Sequence, residues 1–90
     1  MLYAMPYKVY LHPSAKRQLD SLPSGARPRI DDALRKMADD PRPVGCRKLT
    51  DTDGWRVRVG DYRIIYEVDD QKQRVSVGWI GLRKDAYNGN

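Results

Sequence analysis

Tyr7, Val9 and Leu11 alternate with Lys8 and Tyr10, the period-2 pattern of a strand with one buried face. His12-Pro13-Ser14 stops it. Ala15, Leu19 and Leu22 then recur at helical spacing, with Lys16, Arg17 and Asp20 off that stripe. Pro23-Ser24-Gly25 breaks this helix, and Ser24 is the expected N-cap of a second one. Ile30, Ala33, Leu34 and Met37 carry the second apolar stripe, with Pro28 tolerated in its first turn. The run Asp39-Asp40-Pro41-Arg42-Pro43 ends it. From there the period returns to two. Trp55, Val57 and Val59 alternate with Arg56 and Arg58; Tyr62, Ile64, Tyr66 and Val68 alternate with Arg63, Ile65 and Glu67. Val75, Val77 and Trp79 read as a further alternating strand, and Lys48-Leu49 as a short one before Trp55. The order is an N-terminal strand, a helical hairpin, then three or four antiparallel strands. Such a chain is an α+β domain with both helices packed on one sheet face. Without repeats, low-complexity tracts or a linker, residues 1–90 form one domain.

Gly60-Asp61 is a two-residue hairpin turn of the primed type, and it fixes a register. Val59 faces Tyr62, Arg58 faces Arg63, Val57 faces Ile64 and Arg56 faces Ile65. Trp55, Val57, Val59, Tyr62, Ile64 and Tyr66 then share the helix-covered face. Arg56, Arg58 and Arg63 gather on the other. Like charges directly opposite one another destabilise a sheet. Holding an anion is the simplest use for such a pair; a solvated face relieved by Glu67 is the bland alternative. Arginine suits phosphate, because its planar fork donates in pairs and stays protonated. Arg83, Lys84 and Tyr87, just past the last strand, supply two more cations and an aromatic wall.

Charge sharpens this picture. Seventeen Lys+Arg against twelve Asp+Glu give a net +5. Before Gly45 there are 8 basic and 5 acidic residues, and after it 9 and 7, so no tail carries the excess. A basic patch, if one exists, must be assembled by folding, and its partner is a polyanion or an acidic protein. A single cysteine, Cys46, excludes an internal disulfide and fits a reducing cytoplasm. One histidine and one cysteine exclude a His/Cys zinc site. No apolar run is long enough to span a bilayer. His12 and Ser14 lack the partners of a triad, and Asp51-Thr52-Asp53-Gly54 has its glycine two places early for a calcium loop.

With these residues in place, the chain resembles the RelE/ParE superfamily of toxins from type II toxin–antitoxin systems. The resemblance runs from about Tyr7 to Tyr87. Its most specific piece is Gly60-Asp61-Tyr62-Arg63-Ile64-Ile65-Tyr66, supported by Val9-x-Leu11-x-Pro13-Ser14-Ala15 and by Ile80-Gly81-Leu82-Arg83-Lys84-Asp85-Ala86-Tyr87. It implies the RelE-like fold and, in the RelE-like branch, cleavage of mRNA in the ribosomal A site. The branch's roles fall here on Arg63, Arg83 and Tyr87 as catalytic residues. Lys48, Arg56, Arg58 and Lys84 fall to holding the RNA backbone. Two departures stand out. Relatives often carry lysines where this chain has Arg56 and Arg58, and Leu82 replaces a frequent basic residue or histidine. An arginine does not give up its proton, so no lysine base is available at 56 or 58.

The expected reaction is attack by the RNA's own 2′-hydroxyl on the adjacent phosphate, which needs neither metal nor cofactor. Tyr87 is the expected base, its pKa lowered by neighbouring guanidinium groups. Arg63 and Arg83 are expected to stabilise the phosphorane. The expected partners are mRNA, the ribosome and an acidic antitoxin, in the cytoplasm. Two alternatives stay open: a ParE-like toxin that poisons DNA gyrase without cleaving RNA, and a non-catalytic RNA-binding module. The second expects aromatics stacked on the open sheet face; Tyr62, Tyr66 and Trp55 are placed on the helix side instead.

Overall fold

The computed structural model describes residues 3, 4, 6–50 and 52–84 of the 90-residue chain. Its elements are β1 (Tyr3–Ala4), β2 (Lys8–Leu11), α1 (Pro13–Asp20), α2 (Arg27–Asp39), β3 (Arg47–Lys48), β4 (Gly54–Val59), β5 (Tyr62–Asp69) and β6 (Arg74–Leu82). The six strands form one sheet in the order β1-β2-β6-β5-β4-β3. The strands β3 to β6 make the expected antiparallel run. The N-terminal β2 joins the same sheet parallel to β6, with Val9 opposite Val75 and Leu11 opposite Val77. The two-residue β1 extends the sheet beyond it. Two residues carry no detectable alternation, so nothing in the pattern marks β1.

Both helices lie on one face because both have one apolar stripe to bury. Ala15 and Leu19 from α1 and Ile30, Leu34, Met37 and Ala38 from α2 meet Val9, Ile64, Tyr66, Val75, Val77 and Ile80 of the sheet. Trp55, Val57, Val59 and Tyr62 pack around this core, as the hairpin register requires. The Tyr66 hydroxyl donates to the Pro41 carbonyl at 2.8 Å, pinning the loop after α2 to the sheet. Burial, first of all, pushes the Tyr66 phenol far above its ordinary pKa, so it stays a donor. Arg42 in that loop lies over the Trp55 ring, 5.1 Å from its centroid. It also grips Asp70 with two donors, at 2.8 and 3.1 Å.

Two local expectations are corrected. The N-cap of α2 is Ala26, which has no side-chain cap bond, and not Ser24. Ser24 and Gly25 are spent in a preceding turn, in which the Ala26 and Arg27 N–H groups both return to the Pro23 carbonyl. Pro28 does sit in the first turn of α2. The second correction concerns β6. Ile80 is buried in the core, whereas Trp79 leaves the phase of Val75 and Val77. A bulge causes this: Ile65 pairs with Trp79 but Tyr66 pairs with Val77, leaving Gly78 as the extra residue.

Candidate functional site

The β4–β5 turn places Arg56, Arg58 and Arg63 on the open face. Gly60 has φ +62°, and Asp61 is not in the left-handed region, the pattern of a type II′ turn. The Arg29 guanidinium of α2 lies directly over Gly60, where a Cβ would collide with it. The left-handed backbone is what favours glycine there, since the Arg29 head is the end of a flexible side chain that can shift. The resulting pairs are Arg56 with Ile65, Arg58 with Arg63 and Val59 with Tyr62, as read from the sequence. Ile64 is fully buried under the helices, so Arg63 projects from the opposite face.

Arg63 is nevertheless only 4% exposed. It is the one charged residue buried among the described residues, on a face that no helix covers. Its neighbour on one side is Arg58, which is exposed, and on the other Gly81 of β6. Opposite-face burial of a guanidinium is costly unless its surroundings are built for it. Arg56 is half-buried two pairs further along the hairpin, on the same face.

The bulge at Gly78 decides what β6 contributes. By moving Ile80 into the core it rephases the strand, so that Trp79 and Gly81 fall on the same face as Arg63. The register continues one residue past β6, with the Arg83 N–H donating to the Asp61 carbonyl at 2.9 Å. Arg83 therefore joins Arg58 and Arg63 around the hairpin turn. Its Nε is buried, with no hydrogen-bond acceptor among the described residues. Exposed Lys84 and the Asp61 and Leu82 positions line the same depression. The bulge is held from α1: the Ile80 N–H donates to Gln18 Oε1 at 2.8 Å, and Ser14 Oγ lies 3.4 Å from the Gly78 carbonyl.

Among the described residues none of Arg56, Arg58 or Arg83 forms an ion pair; all six pairs involve α1, α2 or the loop after it. Glu67, the residue that could have relieved the arginines, is exposed and pairs opposite Gly54 and Ser76, toward the far end of the hairpin. Lys48 is not brought to this cluster. It pairs with Trp55, in the phase of the helix-covered face, and its ammonium donates to the Thr52 carbonyl at 2.6 Å. Strand alternation brings its neighbour Arg47, opposite Arg56, into the arginine phase instead. Tyr87 lies outside the described residues. Sequence reading missed the re-aimed Trp79. Its only signal was the apolar pair Trp79-Ile80 behind a glycine, which a strictly alternating strand cannot bury on one face.

The sequence model of the ParE toxins of the type II parDE toxin–antitoxin system matches residues 9–87. The chain belongs to this toxin family. It is 31% identical over 87 residues to Toxin RelE of Mycobacterium tuberculosis (strain ATCC 25618 / H37Rv), spanning 94% of this chain and 90% of that toxin. With Toxin RelG of the same organism it shares 33% over 91 residues, 92% and 98% of the two chains. A chain in the crystal structure of the archaeal RelE–RelB complex from Pyrococcus horikoshii OT3 superimposes with a TM-score of 0.79 at 29% identity, covering 88% of this chain and 97% of that one. The toxin is thus RelE-like in fold and in its relatives, although the family model bears the ParE name.

Proposed function

We propose that this toxin is an endoribonuclease that cleaves mRNA, in the ribosomal A site, and so arrests translation. The observation that carries the reading is the Arg58–Arg63 pair, like charges held opposite each other by the tight turn at Gly60. Beside it, Arg83 Nε is buried without an acceptor among the described residues. Guanidinium groups held this way stabilise a doubly charged phosphorane better than a singly charged phosphodiester. The 2′-hydroxyl of the RNA attacks the adjacent phosphorus and expels the 5′-oxygen, which takes a proton from water, giving a 2′,3′-cyclic phosphate and a 5′-hydroxyl. Arg63 and Arg83 hold the phosphoryl oxygens in this scheme. Tyr87 takes the 2′-hydroxyl proton, and Arg56, Arg58 and Lys84 grip the flanking backbone. The chemistry needs no metal or cofactor, since the substrate brings its own nucleophile. An acidic antitoxin would neutralise the same face in the cytoplasm, as RelB-type partners accompany the toxins in the neighbouring solved complexes.

Single-turnover cleavage on programmed ribosomes tests the reading. Arg83→Ala is expected to slow it about 10²–10³-fold, the effect of losing one positioned transition-state donor. Tyr87→Phe is expected to slow it about 10²–10⁴-fold with RNA affinity little changed. Intact transcripts alongside gyrase-linked DNA breaks would return the chain to the ParE-like alternative.

A further inference from the structure

Among the described residues the open face carries two large aromatics outside the core: Tyr10, under Arg74 near the start of β6, and Trp79, beside the arginine cluster. Trp79 is half-buried and pairs opposite Ile65, two residues along β5 from Arg63 and on the same face. A Cβ on Gly81 would lie 2.7 Å from the indole Cζ2 and 2.8 Å from Cη2. The ring therefore fills the space that a side chain at 81 would take, directly across from Arg63. Reading across three strands, the row is Arg58, Arg63 and the indole on Gly81, successive positions ~4.8 Å apart. Two cations and a flat aromatic plate stand side by side.

The placement comes with the bulge that also carries Ile80 into the core. A regular β6 would put Trp79 in phase with Val75 and Val77. The extra residue Gly78 turns it outward, and Gln18 and Ser14 of α1 satisfy the backbone on either side. Bulges commonly re-aim a side chain next to a functional site. Gly81 then leaves room for the ring to lie down along the strand.

We infer that Trp79 is a nucleobase platform: it stacks the base of a nucleotide next to the phosphate that Arg63 holds. The inference rests on the RNA reading above and adds to it. Arginines alone recognise any phosphodiester, whereas an indole beside them recognises a strand whose bases are unpaired and free to swing out. Stacking is tolerant of base identity, so Trp79 selects single-stranded over paired RNA with little discrimination among bases.

The test uses the full chain and a fluorescein-labelled 12-nucleotide single-stranded RNA, 2′-O-methylated throughout so that no 2′-hydroxyl can attack. Trp79→Ala is expected to weaken binding about 5- to 150-fold, the effect of losing one stacked base. Trp79→Phe should recover part of it. Against a chain of the same length with abasic units, native protein and Trp79→Ala should bind alike. In a Trp55→Phe background, where Trp79 is the one tryptophan left, the RNA should quench its emission and the abasic chain should not. Equal loss on both chains would overturn the platform and make Trp79 structural. Undiminished binding by Trp79→Ala, with Arg56→Ala and Arg58→Ala impaired, would overturn it while leaving the RNA reading standing. No binding of RNA by the native protein, with or without ribosomes, would remove both.

Discussion

On the helical side of the sheet, Lys16 lies 2.8 Å from Asp20, Arg27 lies 3.2 Å from Asp31, and Lys36 lies 3.0 Å from Asp32. On the open side, Arg56, Arg58 and Arg83 have no such companions among the described residues, and Arg58 faces another arginine. The helical pairs are exposed and individually contribute little, roughly 0–1 kcal/mol. Their effect is to cancel charge where it has no use. What holds the molecule together lies beneath them, in side chains such as Leu34 and Ile64 that are fully buried. One face is thus neutralised and stabilising, the other charged and mildly destabilising. A surface that keeps like charges together against its own stability is shaped by what it binds.

The contrast breaks most sharply in the core. Leu34→Ala, at a position with no exposure, is expected to cost about 3–5 kcal/mol in urea unfolding. Below its transition the variant should cleave RNA at the native single-turnover rate. A site that failed while the fold persisted would show that the two faces are mechanically coupled. Arg58→Gln probes the other side with a smaller change in stability and the opposite sign. Relieving the clash with Arg63 should stabilise the fold by a few tenths to about 1 kcal/mol. RNA binding should weaken, with its salt dependence flattened by about one counterion. Loss of stability in Arg58→Gln would place that residue among the structural groups.

Asp70 gives the smallest effect. The Arg42 guanidinium, first, and the Tyr7 hydroxyl, second, hold its carboxyl below the usual carboxylate range. A depressed value in the folded state contributes stability that is present above the unfolded pKa, ~3.9. That contribution is lost as pH falls through the lower folded value. Asp70→Asn should therefore melt slightly earlier than the native chain at pH 7. The two melting curves should converge once the medium is acid enough to protonate Asp70. A gap that persisted at the lowest pH would assign the difference to the asparagine itself.

The sequence disclosed the charged face better than the sheet around it, for physical reasons. Gly60-Asp61 fixes a local register by turn geometry alone, so the Arg58–Arg63 pair could be placed without knowing the fold. The apolar stripes of α1 and α2 are equally local. The pairing of β2 with β6 joins segments more than 60 residues apart and leaves no mark in either. The N-cap of α2 was misplaced because Ser24 is a good capping residue that a tighter turn uses up first. Trp79 was misread because alternation was carried through Gly78, where an unpaired residue resets it. Lys48 was assigned by the company it keeps in the chain, but strand alternation turns it away from Arg47 and Arg56.

The position of β6 also governs when the charged face is complete. It is the last strand to be made, yet it lies between the first long strand, β2, and the hairpin partner β5. Until β6 arrives, β2 has no long strand to pair with, and the helices cannot close over Val75, Val77 and Ile80. Such late, long-range closure is intrinsically slow, because loop entropy is lost before any contact compensates. During synthesis from the N-terminus, the β4–β5 hairpin emerges first with Arg58 and Arg63 but without Gly81, Trp79 or Arg83 beside them. An unfinished chain has its two opposed cations and no walls around them. The charged face is completed by the arrival of a single strand at the centre of the sheet.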